Sequence, residues 1–459
     1  MNDNGIVFNQ NAKNIAFDNE HYEKMMARYQ YFMHNFENYT NYYSDFELEK
    51  QRALNIRTKT FKKLDKHLVD FDTNFTNNGG KILWANDADD AKQMIYDILH
   101  QERVKKIIKS KSSTIEEIGL TSYLEIRKIK VIDTNIGDFV CNVFDERPYN
   151  IKSSAAQKNT SQVADIYTEK FGIRENCNAK QLTLCTKQLL KEEMSNPQAF
   201  ISGANFLVSN SGTVVLTENE GNILKSSSFT PIHIIVAGID KLITSIDELA
   251  VLLPLSSIYE PNKNVSSLYS FINKPLTDGD NVQKLYLILL NNNRTEVLSK
   301  EKQRSILSCI QCGACADVCP IYNTIGGHIY NNNLPGPVGS IITPITKGME
   351  EASHLCSLCT SCGRCNEVCP VNISLKDLFL ENRKDLVKEN KSLIGERNFL
   401  SYLFKRMSSR KNLEKHGSSF KDIELSYHIK KKWGTKREMP KFAKESFSEY
   451  WKNINKLNQ

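Results

Sequence analysis

The sequence predicts an α/β layer with a largely parallel sheet, followed by a helical, cysteine-rich segment. Two observations support this fold class: short apolar strands alternate with amphipathic helices between residues 81 and 134, and most of the 12 cysteines fall between residues 309 and 369. The length of 459 residues predicts about two or three domains. An apolar content of 40% with 25% charged residues is ordinary for a globular protein.

The chain begins with a region, 1–75, that we expect to be helical. Within it Leu54, Phe61, Leu64 and Leu68 recur at roughly helical steps among charged residues. The Asn-Asn-Gly-Gly turn at 77–80 ends this region and leads into the layer.

The α/β layer is expected to span residues 76–298. Strands are predicted at 81–85, 104–108 and 130–134, with a helix capped by Asp87 and another helix at 115–124. Further along, 205–209 and 213–217 form a predicted β-hairpin around Gly212. Buried strands at 233–238 and 284–290 and a short helix at 247–253 complete the layer.

Two cysteine runs follow, each with the spacing C-x2-C-x2-C-x3-C-P. The ligand candidates of the first run are Cys309, Cys312, Cys315 and Cys319, and those of the second are Cys359, Cys362, Cys365 and Cys369. This is the bacterial ferredoxin spacing for [4Fe–4S] clusters, so it predicts two such clusters and one-electron transfer. Gly313 and Gly363 allow the tight backbone of each loop.

In two-cluster ferredoxins the fourth cysteine of each run binds the cluster of the other run. By that rule one cluster is held by Cys309, Cys312, Cys315 and Cys369, and the second by Cys359, Cys362, Cys365 and Cys319. Cys356 precedes the second run and is a possible substitute ligand. Structural zinc and a disulfide framework are the alternatives, and the repeated three-plus-one spacing favours neither.

The ferredoxin-type segment is expected at 299–385, with a Gly- and Pro-rich loop at 326–339 joining its two runs. A helical, basic tail is expected at 386–459. Cys141, Cys177 and Cys185 are isolated and are interpreted as small buried side chains.

The composition and the absence of several motifs exclude some classes of function. The net charge of +7 is modest and its charges are interspersed, which argues against nucleic-acid binding. No apolar run reaches the ~18 residues of a membrane span, and no signal peptide is evident, so we expect a cytoplasmic protein. Dinucleotide, Walker A and serine-nucleophile patterns are absent from the sequence. The chain therefore carries electrons but shows no motif for removing a hydride.

Ordered segments along nearly the whole chain make it resemble the lactate utilization protein B family, the iron–sulfur LUD-domain proteins of bacterial L-lactate oxidation operons. Besides both cysteine runs, the matching segments are 79–85, 109–112, 116–120, 124–125, 202–206, 212, 219–222, 326–328, 335–339, 433–437 and 446–447.

The resemblance implies a LUD layer similar to the NagB/RpiA/CoA-transferase group, followed by a helical ferredoxin-type domain. It also implies two partners, a CCG-domain protein and a smaller LUD-domain protein, and a shared task of oxidising L-lactate to pyruvate. This chain would transfer electrons rather than perform the carbon chemistry. The alternatives are an electron-transfer subunit of another dehydrogenase or of a quinone- or disulfide-linked reductase, and a cluster-dependent sensor or scaffold.

Within the LUD region, Lys111 and Ser112 end a predicted strand at a position where α/β folds often bind anions. Helix carboxylates, hairpin residues and two histidines are better explained by solvation, turn hydrogen bonds and packing than by ligand binding; they are Glu117, Glu125, Asn205, Asn219, Glu220, His233 and His328.

Overall fold

The structure is a computed structural model that describes residues 3–174, 177–258, 268–278, 281–332, 334–389, 394–414, 416–433 and 438–457. The chain divides into two compact units, Met1–Leu386 and Val387–Gln459. Among the described residues, no helix combines the length and the apolar character needed to cross a membrane.

Four helices open the first unit: α1 (Asp3–Ile15), α2 (Asn19–Thr40), α3 (Phe46–Lys62) and α4 (Leu64–Asn77). Asp18 and Asp45 cap α2 and α3 by accepting hydrogen bonds from backbone N–H groups of the first turn. The helical character predicted for this region is confirmed.

The α/β layer contains twelve strands among the described residues: β1 (Lys81–Ala85), β2 (Lys106–Lys109), β3 (Lys130–Asp133), β4 (Ala199–Ser202), β5 (Phe206–Val208), β6 (Thr213–Glu218), β7 (Ile232–Gly238), β8 (Leu242–Ile243), β9 (Leu268–Ile272), β10 (Thr277–Asp278), β11 (Asn281–Val282) and β12 (Lys284–Leu290).

Its helices are α5 (Ala88–Gln101), α6 (Ser113–Glu117), α7 (Leu120–Ile126), α8 (Ile136–Val143), α9 (Thr160–Phe171), α10 (Ala179–Glu193), α11 (Asn222–Phe229) and α12 (Leu249–Ser256). The single helix predicted at 115–124 is wrong, because Gly119 adopts a φ of 64° and divides it into α6 and α7. The strand predicted from residue 104 begins at Lys106.

Six strands form a parallel sheet in the order β1-β12-β7-β4-β2-β3. The central strand β7 is buried along its whole length, as expected for a parallel sheet covered on both faces. Successive residues point to opposite faces, so Ile107 packs with Ile95 of α5 whereas Ile108 packs with Phe75 of α4. A second sheet, β8-β5-β6-β9, lies against the α4 side and contains the predicted hairpin.

The cysteine-rich region adds α13 (Arg294–Ser299), α14 (Ala314–Asp317), α15 (Pro320–Ile325), α16 (Pro337–Thr346), α17 (Met349–Ala352), α18 (Arg364–Glu367) and α19 (Leu375–Glu389). The expectation of a plain loop at 326–339 is wrong, since Pro337 begins α16. One apolar core joins this region to α2, α3 and the second sheet through Phe32, Ala53 and Val208.

The second unit consists of α20 (Ile394–Met407), α21 (Arg410–Glu414), α22 (Ser418–Trp433) and α23 (Phe447–Leu457) within its described residues. The helical character predicted for the tail is confirmed. The division of the chain at residues 75, 298 and 385 stays a prediction.

Candidate iron–sulfur centres

The two cysteine runs have the same backbone. Gln311 and Ser361 occupy the same place in each run and both lie in the left-handed region, with φ of 55° and 60°. Gly313 and Gly363 follow with φ of 86° and 84°, as the glycine argument predicted. Each loop then enters a one-turn helix, α14 or α18. The sequence repeat is therefore also a structural repeat.

Backbone N–H groups point at several of the sulfur atoms. The amides of Gln311 and Ser361 each lie 3.3 Å from the Sγ atom two residues earlier, in Cys309 and Cys359. The amide of Ile373 lies 3.3 Å from Cys369 Sγ. Such donors stabilise a thiolate and fix the direction of its sulfur.

Three cysteines of the first run gather with the last cysteine of the second. Cys309, Cys312, Cys315 and Cys369 line one small, almost wholly apolar cavity. Burial, with smaller contributions from the neighbouring Cys309 and Cys369, raises the pKa of Cys312 to about 12. Because only nearby groups perturb one another in this way, the sulfur atoms of the group lie close together.

The remaining four cysteines form the complementary group. Burial raises the pKa of Cys319 to about 11, with further contributions from Cys362 and Cys359 of the other run. Burial and then Cys319, Cys359 and Cys362 raise the pKa of Cys365 to about 12. Cys362 is exposed, so this group lies nearer the surface than the first. Cys365 also influences Cys315, which makes the two groups neighbours.

Each group has the number of thiolates that a cluster needs. A cubane cluster needs four thiolates spread around its body, and each group offers four. Among the described residues, no three His, Cys, Asp or Glu side chains converge on the position of one metal ion. The raised pKa values of Cys312 and Cys365 mean that these two thiols are protonated without iron, so binding would release protons.

Positive side chains from helix α3 and from the α/β layer stand beside the first group. Lys241 and Arg57 both act to lower the pKa of Cys309, although burial, the largest influence, raises it. Arg57 is 1% exposed and donates to the backbone carbonyls of Leu242, at 2.6 Å, and Leu307, at 3.1 Å. Sequence reasoning missed both cations. The signal for Lys241 was a charged residue soon after a buried parallel strand, and the signal for Arg57 was a charged residue on a helix face.

The remaining cysteines differ in their burial. Cys356 is buried, and its sulfur lies 3.8 Å from the sulfur of Met349. Cys141 is buried as expected, whereas Cys177 and Cys185 are only partly buried. The role of Cys356 as a substitute ligand stays a prediction.

Most polar residues singled out in the LUD region serve the fold. His233 lies in the core, with Nε2 2.8 Å from Ser202 Oγ, and burial lowers its pKa to about 3. Asn205 Oδ1 accepts the backbone N–H of Thr217 at 2.9 Å within the hairpin.

Glu117 is not the solvated helix carboxylate expected from the sequence. It makes a bidentate ion pair with the buried Arg294, at 2.9 and 2.8 Å. Glu125 is exposed, in agreement with the sequence interpretation. His328 Nε2 lies 2.7 Å from the backbone oxygen of Arg147, which supports its assignment to loop packing.

Known proteins match both parts of this architecture. Residues 68–290 match the LUD domain, and residues 305–373 match the 4Fe-4S dicluster domain. "Lactate utilization protein B 2" of Bacillus mycoides is 31% identical over 415 residues, which cover 87% of each chain. This chain belongs to the lactate utilization protein B family.

A second relative agrees with that family assignment. "Lactate utilization protein B" of a Geobacillus species is 31% identical over 425 residues, covering 89% of each chain. A crystal structure of a DUF162 family protein from Deinococcus radiodurans matches 50% of this chain and 99% of its own with 11% identity and a TM-score of 0.29. The two domain matches confirm the fold class predicted from the sequence, a LUD α/β layer followed by a 4Fe-4S dicluster domain.

Proposed function

We propose that this chain is an iron–sulfur electron-transfer subunit that acts in the oxidation of L-lactate to pyruvate. The observation that carries the proposal is the pair of neighbouring four-cysteine groups in a chain of the lactate utilization protein B family. When bound, a [4Fe–4S] cluster supplies one-electron transfer. Lactate oxidation releases two electrons, so a subunit with two clusters matches the stoichiometry.

The proposed ligands are Cys309, Cys312, Cys315 and Cys369 for one cluster, and Cys359, Cys362, Cys365 and Cys319 for the other. In support, Cys312 and Cys369 line the same cavity, and Cys362 and Cys359 contribute to the raised pKa of Cys319. The chain's own residues would orient these sulfurs through backbone N–H donors and keep water from the first group by apolar packing.

The resemblance adds the partners, a CCG-domain protein and a smaller LUD-domain protein, to this proposal. The carbon chemistry would then involve the assembled proteins rather than this chain alone. The names of the relatives support a role in lactate utilization, and the dicluster domain supports electron transfer as this chain's part in that role.

Lactate-dependent reduction in the assembled system tests the proposal. Protein purified without oxygen should first contain about eight iron and eight sulfide per chain. After addition of both partners, L-lactate should bleach the visible cluster absorbance and produce an EPR signal like that given by dithionite. D-lactate and omission of one partner are the controls.

Two outcomes would contradict the proposal. Clusters that dithionite reduces but L-lactate never does, with both partners present, would favour another dehydrogenase or reductase. About four iron per chain would withdraw the two-cluster relay, since one group of cysteines would then lack a cluster.

A further inference from the structure

A polar cleft of about 280 Å³ opens at one edge of the parallel sheet. It lies at the carboxyl ends of β2 and β4, where Ser110 and Gly203 leave their strands. From β2 the chain proceeds outward to β3 and then returns to β4 on the other side of β2. Such reversals leave a crevice between the strand ends, which is the usual ligand position in open α/β sheets.

Close packing of two loops shapes the cleft. A Cβ atom on Gly203 would lie 2.3 Å from Ser112 Oγ, so only glycine permits this approach. The first cysteine run supplies another wall through Ile310 and Gln311. Ser113 Oγ donates to Gln311 Oε1 at 2.5 Å, which fixes this wall to the LUD layer.

Lys241 brings a positive charge to this cleft. The residue is 5% exposed, and among the described residues its ammonium makes no hydrogen bond and no ion pair. The neighbouring Asp240 and Cys309 act on Lys241 only through space, and the Asp240 carboxylate accepts a hydrogen bond from Arg294 Nε instead. Burial without a hydrogen bond is costly for an ammonium and lowers the pKa of Lys241, and a bound anion would offset that cost.

Ser110 supplies a second unmatched group in the same cleft. It is 1% exposed, and its Oγ has no hydrogen-bond partner among the described residues. Lys111, the lysine favoured by the sequence, is otherwise engaged: its Nζ donates to Ser154 Oγ at 2.6 Å and to the backbone oxygen of Lys152 at 3.0 Å. Lys152 also lines the cleft but is only partly buried, so the buried groups available to an anion are Lys241 and Ser110.

The rest of the lining selects the kind of anion. Glu218, Glu220 and Asp138 contribute carboxyl groups to the cleft, which would repel a second negative charge on a ligand but could accept from a hydroxyl group. The volume is below the ~300–1,000 Å³ typical of sites for drug-sized molecules. The carboxyl groups favour a monocarboxylate over a phosphate, and the volume favours a small ligand.

We propose that the cleft is a binding site for a small organic monocarboxylate, with Lys241 and Ser110 at its carboxylate end. The choice of a 2-hydroxy acid or 2-oxo acid within that class rests on the proposed function. The ligand would lie against the Ile310–Gln311 segment, directly after Cys309, which places it beside the first cysteine group.

Calorimetric titration of the cluster-containing protein tests this proposal, with L-lactate, pyruvate, acetate and inorganic phosphate at constant ionic strength. L-lactate or pyruvate should bind, and phosphate should not compete. Lys241→Gln should weaken binding about 10- to 100-fold and Ser110→Ala about 5-fold, because each removes one contact to a charged group. Lys284→Gln, at an exposed lysine paired with Glu102, is the matched control and should leave binding unchanged.

Visible absorbance verifies that each variant keeps its clusters. If Lys241→Gln loses them, the affinity of Ser110→Ala tests the proposal. Equal affinity in wild type and both variants would overturn the proposal, as would phosphate binding in preference to the acids. Failure of this site and failure of the proposed function are separable. Binding that depends on Lys241, without reduction of the clusters by lactate, would support the site but not the proposed function. Reduction by lactate, without binding that depends on Lys241, would support the proposed function but not the site.

Discussion

Single residues decide how the two cysteine runs are connected. Cys319 and Cys369 end their runs, yet each lies among cysteines of the other run. Pro320 follows Cys319 and begins α15, which turns the chain away from its own loop immediately after the sulfur. Crossed ligation would make each cluster depend on both runs, so that neither could be held by one run alone.

Serine substitutions test the crossed ligation. Cys319→Ser should damage the cluster otherwise held by Cys359, Cys362 and Cys365, because serine replaces a thiolate donor that iron–sulfur clusters use. The EPR signal that survives in Cys319→Ser should therefore match the one that survives in Cys362→Ser. If it matches Cys312→Ser instead, ligation follows the runs and the crossed assignment is wrong.

Cys356→Ser is the matched control for these variants. Its sulfur contacts Met349, so we expect about the full iron content and an unchanged EPR spectrum. Loss of the second cluster in this variant would make Cys356 a true ligand.

At the scale of elements, helix α3 joins the α/β layer to the first cysteine run. Arg57 of α3 donates to carbonyls of Asp240 and Leu242 near the end of β7 and to Leu307 just before Cys309. The guanidinium lies over the Phe61 ring at 4.8 Å. One buried side chain thus connects three segments that are far apart in the sequence.

Arg57→Met should lower the free energy of unfolding by about 3 kcal/mol or more, because several buried carbonyls lose their donor. Urea unfolding of the cluster-containing protein, followed by fluorescence, measures the change. Arg52→Met on the same helix is the control, since Arg52 is exposed and its pair with Glu49 contributes little. Equal midpoints for the two variants would show that Arg57 does not stabilise this junction.

At the scale of the whole first unit, the clusters would be part of the core. One apolar core contains side chains of α2, α3 and the second sheet together with four of the ligand cysteines, Cys312, Cys315, Cys365 and Cys369. Loss of iron would leave these buried sulfurs as thiols with no bonds across the two runs. The effect should therefore spread beyond the cysteine loops.

Removing iron with a chelator under reducing conditions should lower the thermal midpoint by about 5 °C or more. Calorimetry of the protein before and after chelation measures the shift. Reconstitution with iron and sulfide should restore the original midpoint, which excludes irreversible damage as the cause. An unchanged midpoint after complete iron loss would mean that the cysteine loops fold independently of their clusters.

Features set by neighbours in the chain were predictable from the sequence. Cysteine spacing, the Asp87 cap and the alternation of strands with helices each depend on residues within a few positions of one another. They identified the cluster type and the layered fold. The break at Gly119 was missed, because glycine is tolerated within many helices and only the observed φ reveals the division.

By itself, therefore, the sequence determined the cofactor class, the parallel layer and the family. Only the tertiary structure decided which distant groups meet: Arg57 with Leu307 across 250 positions, Arg294 with Glu117, and Lys241 with Ser110 in one cleft. The physical reason is that burial of a charge depends on everything packed around it, and strand order decides that packing. A pattern of residues close together in the sequence predicts neither the burial of a charge nor the order of the strands.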